Sequence, residues 1–135
     1  MLTIYRGDPT QPFVRDLLNS MFDYTRDNHP NFKLFFSLDL WAEGNAFNGV
    51  HIEKYDSIIR DFKGHPAYYT GPSGKSFFST FSSGGLTNDN WKSWLNNWGN
   101  DIYFVPDFDD TQGFNTSAPG WWYYWGDVVD GVMSW

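Results

Sequence analysis

Three apolar runs of strand length alternate along this chain with segments of helical periodicity. The runs are Phe32–Leu38, Ser76–Phe81 and Ile102–Val105, the last stopped by Pro106. A nearly continuous apolar run is the mark of a strand buried on both faces, because a half-exposed strand alternates. Pro12 suits a first helical turn, and Phe13–Arg26 follows it. Phe13, Leu17, Met21 and Tyr24 fall on one side of that helix, Val14, Leu18 and Phe22 widen the stripe, and His29-Pro30 ends it. A second helix is predicted over His51–Lys63, where Ile52, Tyr55, Ile59 and Phe62 share a face and Gly64 with Pro66 supplies the stop. Gly71–Gly74 reads as a turn. Asn88 or Asp89 is expected to cap a third helix carrying Trp91, Trp94, Leu95 and Trp98, closed by Gly99. A polar stretch over 107–119, a short helix over Gly120–Trp125 and a last strand over Val129–Trp135 complete the pattern.

Buried-type strands alternating with amphipathic helices predict an α/β fold, a parallel sheet with helices packed outside it. An open three-layer sheet and a (β/α)8 barrel of TIM type share this order. A barrel needs eight units and about 250 residues, whereas this chain has 135 residues and four expected strands. Residues 1–135 are therefore read as one partial domain, about half a barrel, lacking its first strand and its second half. The chain is expected to stop within the fold, on Val132–Trp135. Leu34, Phe36, Phe78 and Phe104 are expected to fill the barrel interior.

Composition narrows the class of ligand. Aromatic residues make up 21% of the chain and charged residues only 19%, so some rings are expected to face solvent or a ligand. Aromatic faces suit sugars, since the C–H face of a pyranose packs on a ring while its hydroxyls reach polar neighbours; an ordinary core also accommodates such rings. The net charge of −7 and the absence of any basic run argue against a nucleic-acid or anionic-membrane surface. A neutral glucan would not be repelled by an acidic cleft. No window approaches the roughly 20 apolar residues of a membrane span, and Met1–Asp8 lacks the pattern of a signal peptide. With no cysteine, the chain has no disulfide, thiolate metal site or Cys nucleophile.

Sites in parallel α/β folds lie at the carboxyl ends of the strands. The polar and aromatic residues expected there are Asp39, Thr80 with Ser82 and Ser83, Asp107, and Trp135. Asp39 is either a helix cap or loop acid, or a carboxylate offered to sugar hydroxyls. Asp107 has Asp109 and Asp110 close behind it, a pattern more often that of a solvated loop acid than of a site residue. Phe81-Ser82-Ser83-Gly84-Gly85 lacks the first glycine of a nucleophile elbow. His29, His51 and His65 lie far apart and carry no zinc spacing. Glycoside hydrolysis normally uses two carboxyl groups flanking the bond, and Asp39 with Asp107 is the best pair available.

Five segments resemble glycoside hydrolase family 71, the fungal endo-1,3-α-glucanases or mutanases. They stand here as Phe32–Asp39, His65–Tyr69, Gly74–Phe81, Tyr103–Asp107 and Val129–Trp135, in the family's order. The resemblance implies a secreted (β/α)8 catalytic domain that hydrolyses α-1,3-glucan without a metal or organic cofactor. It implies that Asp39 lines the substrate cleft, with Thr80, Asp107 and Trp135 on the same rim. The family's acid and base come from a later segment resembling Trp-Asn-Asp-Tyr-Gly-Glu-Ser, which this sequence lacks. No catalytic pair is therefore assigned, and the chain by itself is expected to be inactive. Ser82-Ser83-Gly84-Gly85 also departs from the Glu-Gly that often follows Ser-Thr-Phe in the family. A non-catalytic glucan-binding protein and an α/β domain with purely core aromatics are the competing readings.

Overall fold

The computed structural model describes residues 2–4, 11–47, 49–114 and 119–134. Strands β1 (Leu2–Ile4), β2 (Phe36–Asp39), β3 (Ser76–Phe81) and β4 (Ile102–Phe104) form one sheet in the order β1-β2-β3-β4. All three pairings are parallel, with Ser37 beside Ser79 and Phe78 beside Phe104. The helices are α1 (Pro12–Asn28), α2 (Leu40–Phe47), α3 (Asp56–Phe62), α4 (Asn88–Asn96) and α5 (Pro119–Trp125). The expected parallel order of the three central runs holds. A strand ahead of α1 that the sequence pattern did not mark is present as β1, three residues too short to carry a periodic signal of their own.

α1 begins with proline in its first turn and stops before His29-Pro30, where the His29 N–H donates to Thr25 O at 2.9 Å. Its buried stripe is Val14, Leu18, Phe22 and Thr25, while Phe13, Leu17 and Tyr24 face solvent. Both sets have helical spacing; contact with the sheet selects one. The segment predicted as a single helix over 51–63 divides into a 3₁₀ turn, Ile52–Tyr55, and α3. α4 is capped one residue earlier than expected. Thr87 Oγ1 accepts from Asn90 N at 3.2 Å, and Asn90 Oδ1 accepts from Thr87 N at 3.0 Å, closing a reciprocal box.

Packing places α1, α3, α4 and α5 on one side of the sheet. Phe22 of α1 and Phe62 of α3 meet Phe36 of β2, at ring separations of 5.8 and 5.9 Å. Trp94 of α4 meets Phe78 of β3 at 5.3 Å, and Trp91 meets Phe104 of β4 at 4.9 Å. Trp125 of α5 joins through Phe108 at 4.8 Å. Phe36, Phe78 and Phe104 therefore face the helices rather than an interior lumen, correcting the expectation, and Leu34 shares their alternation phase. The opposite face carries Ser37, Ser79, Phe77 and Tyr103, with Phe35 against Phe77 at 4.7 Å. A doubly wound sheet needs helices on both faces; α1, α3, α4 and α5 all lie on one.

The predicted last strand is reduced among the described residues to a bridge between Asp107 and Met133. Asp130 occupies the β4 edge instead: its Oδ2 accepts from Phe104 N at 2.8 Å and its N–H donates to Phe104 O at 2.9 Å. A side chain thus supplies an acceptor that a ladder carbonyl would have supplied.

Candidate functional site

The loops after β2, β3 and β4 converge at the carboxyl end of the sheet. Parallel pairing aligns Asp39 with Phe81, Phe81 with Asp107, and Asp107 with Met133. Paired positions project to the same side, here the one turned away from the helices. Two strand spacings, about 10 Å, separate the backbones of Asp39 and Asp107. The two carboxylates singled out in the sequence therefore share one row.

Their environments differ. Asp39 is half-buried, and its Oδ1 accepts from Ala42 N at 2.9 Å in the first turn of α2. It serves as a helix cap and keeps its other oxygen outside that bond. Asp107 is 0% exposed; its N–H donates to Thr80 O at 2.8 Å and its Oδ1 accepts from Asp109 N at 3.1 Å. Oδ2 has no partner. Burial pushes this carboxyl above the ordinary carboxylate range, Asp109 and Asp110 push the same way, and the Asp109 N–H opposes them. A carboxyl of this kind takes up a proton readily, and in that form it donates as well as accepts.

Thr80 lies at the end of β3 but shares the phase of Phe78, and its side chain is fully buried. Its hydroxyl donates to Ser82 O at 3.0 Å, so it shapes the turn rather than lining an open surface. Trp135 lies outside the described residues. The histidines have local roles: His65 Nδ1 accepts from Ala67 N at 3.1 Å, and His51 sits 3.7 Å from Glu53. Among the described residues no group of three or more His, Cys, Asp or Glu side chains is placed to hold a metal ion.

The structure adds residues that sequence reading overlooked. Ser82, expected at the strand end beside Thr80 and Ser83, stands at φ 74° and donates through its hydroxyl to Asp110 at 2.9 Å, a contact the sequence does not announce. Ser83 donates to the same carboxylate from its N–H and its hydroxyl, both at 2.9 Å. Gly84 adopts φ 67°, and a Cβ there would lie 2.8 Å from Val50 and 3.2 Å from Leu40. Only glycine meets both conditions. This turn, Asp110, and Leu40, Trp41, Gly44 and Val50 enclose a cavity of about 320 Å³. Glu43 is buried behind it, holding His51 N at 3.0 Å and so fixing the residue after Val50. The signal available in the sequence was Trp41 itself, a tryptophan two residues beyond a strand-end aspartate.

The arrangement is a carboxyl-end rim with one half-buried and one buried carboxyl, a rigid serine-glycine turn and an exposed aromatic ring. It can accept hydrogen bonds from a polyhydroxylated ligand, and it offers no cluster of cations for a phosphate. No curated protein and no solved structure matched this chain. The family model of glycosyl hydrolase family 71 matches residues 6–135, almost the whole sequence. With strands and polar strand-end residues in the order that resemblance requires, the chain belongs to glycosyl hydrolase family 71.

Proposed function

We propose that this chain is the α-1,3-glucan-binding portion of an extracellular endo-1,3-α-glucanase of mutanase type, built on a (β/α)8 barrel. Family membership makes it a glycoside hydrolase with a polysaccharide substrate. The observation that carries the finer reading is the single row joining Asp39 to Asp107 on the face of a parallel sheet turned away from α1, α3, α4 and α5. Sequential strand order with helices on one side is the winding a barrel uses. In this reading Asp39 hydrogen-bonds glucan hydroxyls, the buried Asp107 and Thr80 support the rim from beneath, and Trp135 adds an aromatic contact. Neither metal nor organic cofactor takes part.

The chemistry of hydrolysis needs an acid and a second carboxylate flanking the bond. The family's Trp-Asn-Asp-Tyr-Gly-Glu-Ser-like segment does not occur in this sequence, so Asp39 is assigned to binding and Asp107 to shaping the rim, and neither to catalysis. The test is sedimentation of the purified chain with insoluble α-1,3-glucan, beside β-1,3-glucan and cellulose, with reducing sugar assayed in parallel. Selective retention on α-1,3-glucan without sugar release is expected. Equal retention on all three polymers would remove the linkage assignment. Sugar release abolished by Asp39→Asn or Asp107→Asn would make those residues the catalytic pair.

A further inference from the structure

The cavity beside Trp41 has no role in the assignments above. Its wall is drawn from the segments that follow three strands: Leu40, Trp41 and Gly44 after β2, Ser82, Gly84 and Gly85 after β3, and Asp110 after β4. Trp41 is 61% exposed although it is flanked in sequence by buried Leu40 and half-buried Ala42. A ring of that size left open beside a concavity is an uncommon use of apolar surface unless something covers it. At about 320 Å³ the space lies at the lower end of small-molecule sites, large enough for one sugar ring and too small for several.

Counting donors and acceptors identifies the chemistry of the occupant. Asp110 Oδ2 already accepts from the hydroxyls of Ser82 and Ser83, whereas among the described residues Oδ1 accepts from Ser83 N alone. Ser82 Oγ donates to Asp110 and accepts from Gly84 N at 2.9 Å. Each of these two oxygens, Asp110 Oδ1 and Ser82 Oγ, retains one lone pair, and both are acceptors. A sugar hydroxyl supplies the matching donor. Among the described residues no Lys, Arg or His lines the cavity, so an anionic sugar would meet Asp110 without a cation beside it. The positive φ at Ser82, Gly84 and Gly85 and the hydrogen bonds to Asp110 hold this floor in one shape before any ligand arrives.

We infer that Trp41 and the Ser82–Gly85 turn form a subsite for one neutral pyranose ring, with the indole as stacking platform and Asp110 Oδ1 with Ser82 Oγ accepting from its hydroxyls. The subsite deepens the glucan reading and rests on it for the identity of the sugar. Trp41 stands two residues beyond Asp39, in the first turn of α2, so its ring extends the rim that Asp39 begins.

Calorimetric titration of the full chain with neutral glucotetraoses linked α-1,3, β-1,3 and β-1,4, and with tetragalacturonate, tests it. Trp41→Ala is expected to weaken the α-1,3 tetraose about tenfold, the scale of one apolar ring face lost from contact. Trp41→Phe is expected to retain most of the affinity. Gly44→Leu fills the cavity from a position where a Cβ meets only Val50, at 3.6 Å, and is expected to weaken binding similarly. Tyr123→Ala removes an exposed ring on α5 and should change nothing. Unchanged affinity in both Trp41→Ala and Gly44→Leu overturns the subsite and leaves the α-1,3-glucan reading standing. Trp41-dependent binding of a β-linked tetraose, with none of the α-1,3 form, supports the subsite and overturns that reading. Binding of no neutral tetraose overturns both, and tighter binding of tetragalacturonate overturns the neutral-ring assignment.

Discussion

Ser82 stands in the left-handed region at φ 74°, and its hydroxyl donates to Asp110 at 2.9 Å. A residue with a Cβ adopts that conformation at a cost of about 1–2 kcal/mol, so the turn depends on what holds it. Two further bonds from Ser83 reach the same carboxylate. The loop after β3 is thereby tied to the loop after β4, and the rim is set by a contact between segments distant in sequence. Asp110→Ala is expected to cost about 1–2 kcal/mol in urea unfolding, the scale of hydrogen bonds to a partly exposed charge. Adding Ser82→Gly in that background is expected to return part of the loss by relieving the backbone. A double variant no more stable than Asp110→Ala alone would mean that the turn carries no strain.

Asp39 both caps α2 and is proposed to meet substrate, and two substitutions separate these roles. Asparagine keeps an oxygen able to accept from Ala42 N, whereas alanine does not. Asp39→Ala is expected to lower stability by about 1 kcal/mol and Asp39→Asn by much less. Both are expected to reduce retention on α-1,3-glucan. Thermal unfolding and glucan sedimentation on the same preparations give the comparison.

The buried carboxyl of Asp107 makes a prediction about pH. Its folded pKa is raised, so between the unfolded value and the folded one the native chain binds more protons than the unfolded chain. Stability contributed by this group is fully present below the unfolded pKa and is lost as pH rises through the folded pKa. Exposed carboxylates such as Asp27, Asp101 and Asp127 are held low by Arg26, Lys63 and Lys92 and act in the opposite sense. The difference between wild type and Asp107→Asn isolates Asp107. Asp107→Asn is expected to gain about 1 kcal/mol on wild type at neutral pH, where a neutral group replaces an unpaired buried charge. That gain should shrink as pH falls. A pH-independent difference between the two would show that Asp107 titrates normally.

Phe22 is 0% exposed and its ring meets Phe36, Phe62, His65 and Tyr68. Phe22→Ala is expected to cost about 3–5 kcal/mol, a large share of a domain's usual 5–15 kcal/mol. Phe13→Ala, on the exposed side of the same helix, is expected to change stability by less than about 0.5 kcal/mol. Chemical denaturation of the two variants side by side tests whether α1 uses the Val14-Leu18-Phe22 stripe in solution.

Local pattern by itself determined the central architecture. Apolar runs within 32–38, 76–81 and 102–105 marked the three central strands, although β2 is confined to Phe36–Asp39 and Phe32 is exposed, and the helical segments between them favoured parallel pairing in sequence order. Asp39 and Asp107 were legible as strand-end acids because each follows a run that leaves a carboxylate little other place to go. What the tertiary structure alone decided is which way things face and what they touch. α1 carries two apolar stripes of equal periodicity, and only the sheet beneath it distinguishes Val14, Leu18 and Phe22 from Phe13, Leu17 and Tyr24. Alternation along β2 and β3 splits their aromatics between two faces, yet nothing local says which face meets helices; contact with Phe22, Phe62 and Trp94 sends Phe36 and Phe78 that way. β1 exists through its pairing with β2. The burial of Asp107 and the cavity beside Trp41 arise where loops from three strands meet. Periodicity is a property of neighbours along the chain, whereas burial and hydrogen-bond closure are properties of neighbours in space.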